Sequence, residues 1–429
     1  MSDKLTILKI FVTTRWLRHF RSRRQVQRFQ ERMLRRHLAF VRRQSRYFAE
    51  LPNITSLDQL ADLPTMNKAL MMEHFDDMNT VGLSKDRGLE LAIRAERERD
   101  FDEMYHGIAV GLSSGTSGHR GLFVVSPTER SAWVGAVLAK LLPKGHLLNH
   151  RIAFFLRADN QLYETINSQL IAFKYFDIYG DMGQNLRDLE AYKPTILVAP
   201  PSVLGVISTG VGMTILQRSL QKIISVAEVL EPSDEARFQK AFGLAIIHQA
   251  YQCTEGFLGF SCEHGTLHLN EDAVIIEKSY LDEQRFVPIV TDFRRTSQPI
   301  IRYRLNDILV ERSEPCPCGS ALQPVERIEG REDDIFIFKD DDGRKVQIFA
   351  DMVSRCLVYV PGIQEYRVTQ VAHDAVTIYL NHVDKNVKRQ VTAEFERLAG
   401  LKSFRMPTLS FAAFELDLSR KLKRVERLF

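Results

Sequence analysis

The sequence predicts an α/β protein, and three observations carry that prediction. Short apolar runs alternate with helical stretches between about residues 105 and 300. Those runs lack an apolar/polar alternation, as strands do when helices cover both faces of a sheet. The composition, 45% hydrophobic and 26% charged over 429 residues, is that of a globular chain with room for two or three domains. No apolar run approaches the roughly 20 residues needed to span a bilayer.

The elements follow in order. Val26, Phe29, Met33, Leu34, Leu38 and Val41 recur at helical spacing with arginines between them, so a helix lies with one face on the body of the protein. Residues 1–50 hold 14 Lys and Arg against Asp3, Glu31 and Glu50, a charge of +11, which leaves −7 for the rest of a chain of net +4. A solvated helix face accounts for this better than nucleic-acid binding, and no nucleic-acid partner is expected. Residues 1–20, with Ile7, Phe11, Trp16 and Phe20 among basic residues, stay open to a peripheral membrane or partner contact. Strands are expected at Ile152–Leu156, Ile196–Ala199, Ile223–Val226 and Leu244–Ile247. Helices are expected at Glu129–Leu142, Tyr163–Lys174 and Glu235–Phe242. Asp340-Asp-Asp-Gly343 reads as a hairpin turn. The first twenty residues show no clear apolar core followed by a small-residue cleavage site, so secretion is not expected, and the five cysteines are unevenly spaced. Together these argue for a reducing, cytoplasmic setting without a disulfide framework.

Five segments carry chemistry. The loop Gly111–Gly121, GLSSGTSGHRG, combines glycines with short hydroxyls at Ser113, Ser114, Thr116 and Ser117. Glycines such as Gly115 and Gly118 let the backbone approach a ligand, and successive N–H groups and hydroxyls form a donor surface suited to phosphate oxygens. It is not the G-x-x-x-x-G-K-[ST] pattern. The second segment, Gln249–Gly256 (QAYQCTEG), follows a buried strand. It offers the Tyr251 ring for stacking, the Thr254 hydroxyl for a phosphate, and Glu255 as a hard oxygen ligand for Mg²⁺. The third runs from Thr291 to Asp307, whose carboxylate suits ribose hydroxyls. The fourth is Arg327–Asp334 (RIEGREDD) and the fifth Arg420–Arg427 (RKLKRVER). Ligands of open α/β sheets lie beyond the carboxyl ends of strands, so the first two segments are expected to be neighbours.

In this order and at these separations the five segments resemble the adenylate-forming superfamily of acyl-CoA synthetases. The likeness is greatest to the phenylacetate–CoA ligase branch and the related deazaflavin-cofactor adenylating synthetases. The resemblance implies a large multi-sheet α/β N-terminal adenylation domain, residues 1–330, and a small mobile α+β C-terminal domain, residues 331–429. It implies ATP-dependent conversion of a carboxylic acid, aromatic by analogy, to acyl-AMP, followed by transfer to a thiol, with CoA the first choice.

By the same resemblance Ser113–Gly118 would hold the β/γ-phosphates of ATP, Tyr251 would lie against adenine, and Thr254 would touch the α-phosphate. Glu255 would bind Mg²⁺, Asp307 the ribose, and Arg331 the ribose or phosphate region. Asp333 would be the hinge, and Lys421 the lysine bridging carboxylate and α-phosphate. Phe154, Phe155, Tyr163, Val226, Ala227 and Glu228 are candidate walls of the acyl pocket, and His106 is a further one. Cys253 has no apparent base beside it, so a covalent thiol route is not expected.

The chain also departs from the pattern. His119-Arg120-Gly121 stands where the family has lysine, Arg120 supplying charge with another geometry. Arg420 precedes Lys421 where the family has glycine, which makes Lys423 a competitor. Phe338–Val346 replaces a glycine-containing segment that lines the CoA channel in relatives, which keeps a cofactor, amine or carrier-protein acceptor in view. A non-catalytic nucleotide-binding scaffold is the remaining alternative. Cys262, Cys316 and Cys318 with His268 would make a closed structural zinc site, as similar residues do in the phenylacetate ligase branch, with His264 the other imidazole.

Overall fold

The computed structural model describes residues 3–98, 100, 103–113, 120–145, 147–156, 171–210 and 213–429. Among them a twelve-stranded sheet dominates. Five parallel strands run in the spatial order Ile171–Asp177, His150–Leu156, Ile196–Ala199, Lys222–Ser225, Ile247–Cys253. Ile196–Ala199 and Lys222–Ser225 are buried along their whole length because helices cover both faces. The fifth strand is a seam. Ile247–Cys253 pairs in parallel with Lys222–Ser225 on one edge and antiparallel with Gly256–Ser261 on the other. From there the sheet continues as antiparallel strands to Val274–Tyr280.

The strand expected at Leu244–Ile247 therefore begins where it was expected to end. Gly243, with φ of 68°, caps the helix Pro232–Phe242, and the chain needs the next residues to turn. The helix expected at Tyr163–Lys174 is corrected over its last four residues: Ile171–Asp177 is an edge strand paired with His150–Leu156. Tyr163 lies outside the described residues.

The basic N-terminal segment is largely structural. Helix Arg23–Gln44 buries Val26, Leu34, Leu38 and Val41 against the antiparallel half of the sheet. Helix Asp3–Val12 lies across helix Pro127–Leu141 so closely that a Cβ on Gly135 would come within 2.6 Å of the Ile7 carbonyl oxygen. Arg23 forms a fork with Glu271, and Arg18 lies 3.7 Å from Asp272. Leu5, Leu8, Trp16 and Leu17 remain exposed. No helix among the described residues is long and apolar enough to cross a membrane.

A smaller C-terminal α+β domain has its own core. Strands Thr408–Ala413, Ala375–Leu380, Tyr366–Ala372 and Val425–Arg427 form a sheet in that order. Helices Ala350–Val358 and Lys385–Lys402 pack on it through Val353, Leu357, Val391 and Phe395. Phe336–Lys339 and Lys345–Ile348 form the hairpin whose turn is Asp340–Gly343. The final strand, Val425–Arg427, pairs in parallel with Tyr366–Ala372. That pairing draws residues 414–424 back across the large domain.

Candidate active site

The seam positions the chemistry. Where the last parallel strand ends, the chain turns at Thr254 and Glu255 into the first antiparallel strand, so both residues stand at a topological switch point. The turn is tight: a Cβ on Gly256 would meet Asp292 Oδ2 at 2.9 Å. Two cavities meet there. A polar one, about 500 Å³, is lined by Ser113, Tyr251, Thr254, Glu255, Asp307, Arg331, Asp333 and Lys421 among others. An apolar one, about 380 Å³, extends between the sheet and helix Pro127–Leu141. Ala227, Ala250, Gln252, Cys253, Thr254 and Lys421 line both. Ala227 holds φ of 67°, a conformation that costs an alanine about 1 kcal/mol or more and clusters at ligand sites.

In the polar cavity the Tyr251 hydroxyl donates to Asp307 Oδ2 at 2.8 Å, and Arg331 Nε lies 3.4 Å from Asp307 Oδ1. Burial, with Asp307 nearby, pushes the Tyr251 phenol well up, so it stays a donor. Tyr251 is held by the sheet and by this bond, its ring mostly buried in the core. Glu255 faces the Tyr303 hydroxyl, whose ionisation burial and Glu255 both oppose. The Asp333 carboxylate accepts from Asn306 Nδ2 at 2.7 Å within a short 3₁₀ turn, Glu332–Asp334.

The loop Gly111–Gly121 is described only at its base. Ser113 N donates to the Gly121 carbonyl, and Gly121 N donates to Ser113 Oγ, both at 2.8 Å. Ser114, Gly115, Thr116, Ser117, Gly118 and His119 lie outside the described residues. The charge expected of Arg120 is directed elsewhere: its guanidinium forks onto Glu96. Lys68, which sequence reasoning passed over, lines the polar cavity, and its side chain lies beside Gly121. Its only sequence signal is a position just after the helix cap Asn67.

The apolar cavity is lined by Phe154, Val226 and Ala227 as expected, and by Trp133, Leu138, Phe173 and Ile224, which the sequence did not single out. Phe155 faces away, stacked on Phe176 in the core behind the sheet, because consecutive strand residues point to opposite faces. Glu228 does not line it; its carboxylate accepts from Ser202 N and Leu422 N, fixing the loop and the C-terminal tail. His106 packs edge-on against Tyr105 outside the cavity. Burial and Glu255 push the Cys253 thiol well up, away from a nucleophilic thiolate.

Helix Pro127–Leu141, which forms one wall, is pinned at both ends. Ser126 and Glu129 form a capping box, and Glu129 also accepts from Ser297 N at 2.8 Å. Arg15 donates to the carbonyls of Ala139, Leu142 and Pro143 at 2.7–2.9 Å. Arginine at this end satisfies carbonyls that the helix leaves open.

The C-terminal tail closes the site. Lys423 pairs with Asp334 at 2.9 Å, and Arg424 with Asp234 at 2.7 Å and Glu365 at 3.1 Å. Lys421 lines both cavities, whereas Lys423 lines only the polar one of the two. Arg424 is buried between the domains, and Arg424→Ala leaves the carboxylates of Asp234 and Glu365 with Arg237 alone in place of two guanidinium groups. We expect it to lower the unfolding free energy by about 3 kcal/mol, read by denaturant titration.

Away from the cavities, Cys262, His268, Cys316 and Cys318 converge, with all ligand atoms within 4.8 Å of one another. Cys262 Sγ lies 3.6 Å from Cys316 Sγ, close to the ~3.8 Å edge of a tetrahedron with zinc–sulfur bonds near 2.3 Å. His268 Nδ1 donates to the Leu322 carbonyl at 3.1 Å, which turns Nε2 toward Cys318 Sγ at 3.4 Å. Burial opposes it, but hydrogen bonds from Thr266, Cys318 and His268 hold the Cys316 thiol down at about 6. The four side chains thus fit a closed metal site, and His264 is not among them.

The fold is that of the adenylate-forming ligases. The chain superposes on 2-hydroxyisobutyryl-CoA ligase in the postadenylation state with its acyl-AMP at a TM-score of 0.66 and 17% identity, covering 99% of this chain and 89% of that one. Amide bond synthetase McbA from Marinactinospora thermotolerans matches at 0.55 and 15%, over 74% and 68% of the chains. ATP-bound MatB from Rhodopseudomonas palustris matches at 0.52 and 14%, over 71% and 63%. No protein-family description and no curated protein matches the sequence.

Proposed function

We propose that this protein activates a carboxylic acid with Mg-ATP and transfers the acyl group to a thiol, that of CoA. The observation carrying the reading is the meeting of an apolar and a polar cavity at Thr254 and Lys421. An acid lying in the apolar cavity presents its carboxylate at that junction, and a nucleotide in the polar cavity presents its α-phosphate there. A carboxylate oxygen bonds to the α-phosphorus, the α–β phosphoanhydride bond breaks, and pyrophosphate leaves. Thr254 would orient the α-phosphate while Lys421 neutralises charge on both partners, the kind of positioning on which such transfers depend. Asp307, ordered by Tyr251 and Arg331, would accept from ribose hydroxyls, and Glu255 would hold Mg²⁺, which would supply neutralisation of the phosphate charge. Ser113 and the hydroxyls and amides after it, with Lys68, would hold the outgoing phosphates. In the second step the thiol attacks the acyl carbon, a C–S bond forms, AMP departs with the C–O electron pair, and the thiol proton passes to solvent.

The domain boundary at residues 330–331 with Asp333 as hinge belongs to this reading. It is supported by the separate C-terminal core and by the short turn at Glu332–Asp334. The superposition is better on the postadenylation state of 2-hydroxyisobutyryl-CoA ligase, at 0.66, than on its thioesterification state, at 0.51. That supports a tail arrangement suited to the adenylate stage. The aromatic lining by Trp133, Phe154 and Phe173 supports an aryl acid and the phenylacetate ligase branch. The four converging Cys and His side chains support a structural zinc.

Pyrophosphate release from Mg-ATP across a panel of aryl and fatty acids tests the reading. Release that requires an acid and rises with CoA is expected. Release unaffected by CoA would move the acceptor to an amine, cofactor or carrier protein. Silence with every acid would remove the adenylation step.

A further inference from the structure

The apolar cavity ends in charge. Ala227, Gln252 and Thr254 line its mouth at the carboxyl ends of the parallel strands. Leu141 and Leu142 pack with Ile152 and Ile196 near the amino ends. Burial first, and then Arg15, which caps that end of the helix, disfavour the charge of Lys222, the first residue of its strand. Lys140, on the same last turn, therefore stands at the floor of the cavity. Lys140, Asn270 and Arg294 line the apolar cavity and not the polar one.

A hydrocarbon tail needs no such floor, and burying ammonium and guanidinium groups is costly unless they are matched. Lys140 Nζ donates to Asn270 Oδ1 at 2.7 Å and to Asp272 Oδ1 at 2.5 Å. An ammonium has three donors; the Phe260 ring lies 4.7 Å from Nζ, and no oxygen among the described residues takes the third. Arg294 donates to the Asp272 carbonyl at 2.9 Å and lies 3.9 Å from its carboxylate, with Arg18 at 3.7 Å. Three cations thus share one carboxylate. Counting Arg295 with the buried carboxylates of Asp292 and Glu129 still leaves one positive charge in excess. Glu271 does not correct the balance, being paired with Arg23.

We infer that the acid carries a second, anionic oxygen function at the end remote from its reacting carboxylate, and that Lys140 and Arg294 recognise it. The inference rests on the acid-activation reading, which assigns the cavity to the acyl group. It narrows the substrate class to acids with an apolar middle, aryl or aliphatic, and a distal carboxylate or similarly charged oxygen group. The surplus cation then has its counter-ion only when substrate is present.

The test compares matched acids that differ at the far end, para-methyl against para-carboxy phenylacetate and octanoate against octanedioate. The readout is acid-dependent ATP–pyrophosphate exchange. The quantity that decides is the ratio of kcat/KM for the carboxylate-ended acid to that for the methyl-ended one. Loss of a charge-assisted hydrogen bond lowers that ratio in Lys140→Met by about tenfold or more. An unchanged ratio overturns the inference. Lys140→Gln, which keeps a donor to Asp272, serves if the methionine variant does not fold. Thermal stabilisation by the carboxylate-ended acid without ATP separates the two readings. Stabilisation that depends on Lys140 while no acid supports exchange keeps the distal site and removes adenylation. Equal stabilisation of both forms, or of neither, removes the distal site.

Discussion

Replacement of Lys421 by alanine is expected to lower acid-dependent AMP formation by about two to three orders of magnitude, the range seen when one preorganised donor at a developing charge is lost. The geometry separates Lys421 from its neighbour. Lys423 is committed to Asp334 at 2.9 Å and approaches Glu426 at 3.8 Å. Lys421 lines both cavities at their junction. Lys423→Ala should therefore keep most of the adenylation rate while weakening the hold of the tail on the turn at Glu332–Asp334. Burial favours the neutral form of Asp334 once that lysine is gone. Single-turnover measurement of acyl-AMP formation in both variants decides the assignment. Full activity in Lys421→Ala together with loss in Lys423→Ala would exchange the two roles.

The second large effect concerns the thiol cluster. We expect purified protein to carry about one zinc ion per chain, and Cys316→Ser to lose it and to melt at least about 5 °C lower. The cluster ties the hairpin Gly256–Ser261 and Leu267–Leu269 to the segment that carries Cys316 and Cys318. Losing it should loosen the antiparallel half of the sheet beside the seam. Elemental analysis and thermal denaturation before and after chelation provide the measurement. Metal-free protein of unchanged melting temperature would leave the thiols as small buried apolar groups.

Motifs at strand ends were legible in the sequence because polar residues there stand out against apolar runs. Residues 250–255, Asp307 and Arg331 fall together around one cavity. Packing direction was not legible. Phe154 and Phe155 are adjacent and alike, and only the sheet decides that one lines the cavity and the other the core behind it. Ile171–Asp177 contains Phe173, Lys174 and Tyr175 in a pattern compatible with either period, and pairing to the neighbouring strand settled it. Nothing in the sequence sets Lys140 apart from any other cation near a helix end. Its burial depends on Asn270 and Asp272, more than a hundred residues away in the chain. The basic count of the first fifty residues was legible, but its use was not: Arg15, Arg18 and Arg23 are taken up by a helix end and by carboxylates.

The helix Pro127–Leu141 carries a consequence for how this scaffold could change its repertoire. Trp133, Ala136, Val137 and Lys140 face the cavity from a single element held at its amino end by Glu129 and at its carboxyl end by Arg15. Arg15 lies outside the lining, whereas Glu129 shares it and Lys140 is tied to Asn270 and Asp272, so size and polarity are adjustable at Trp133, Ala136 and Val137 without touching the sheet, the seam or the tail. A small library confined to these three positions is then a compact route to new acids, and drift at the same positions is where divergent copies of this chain would part company first.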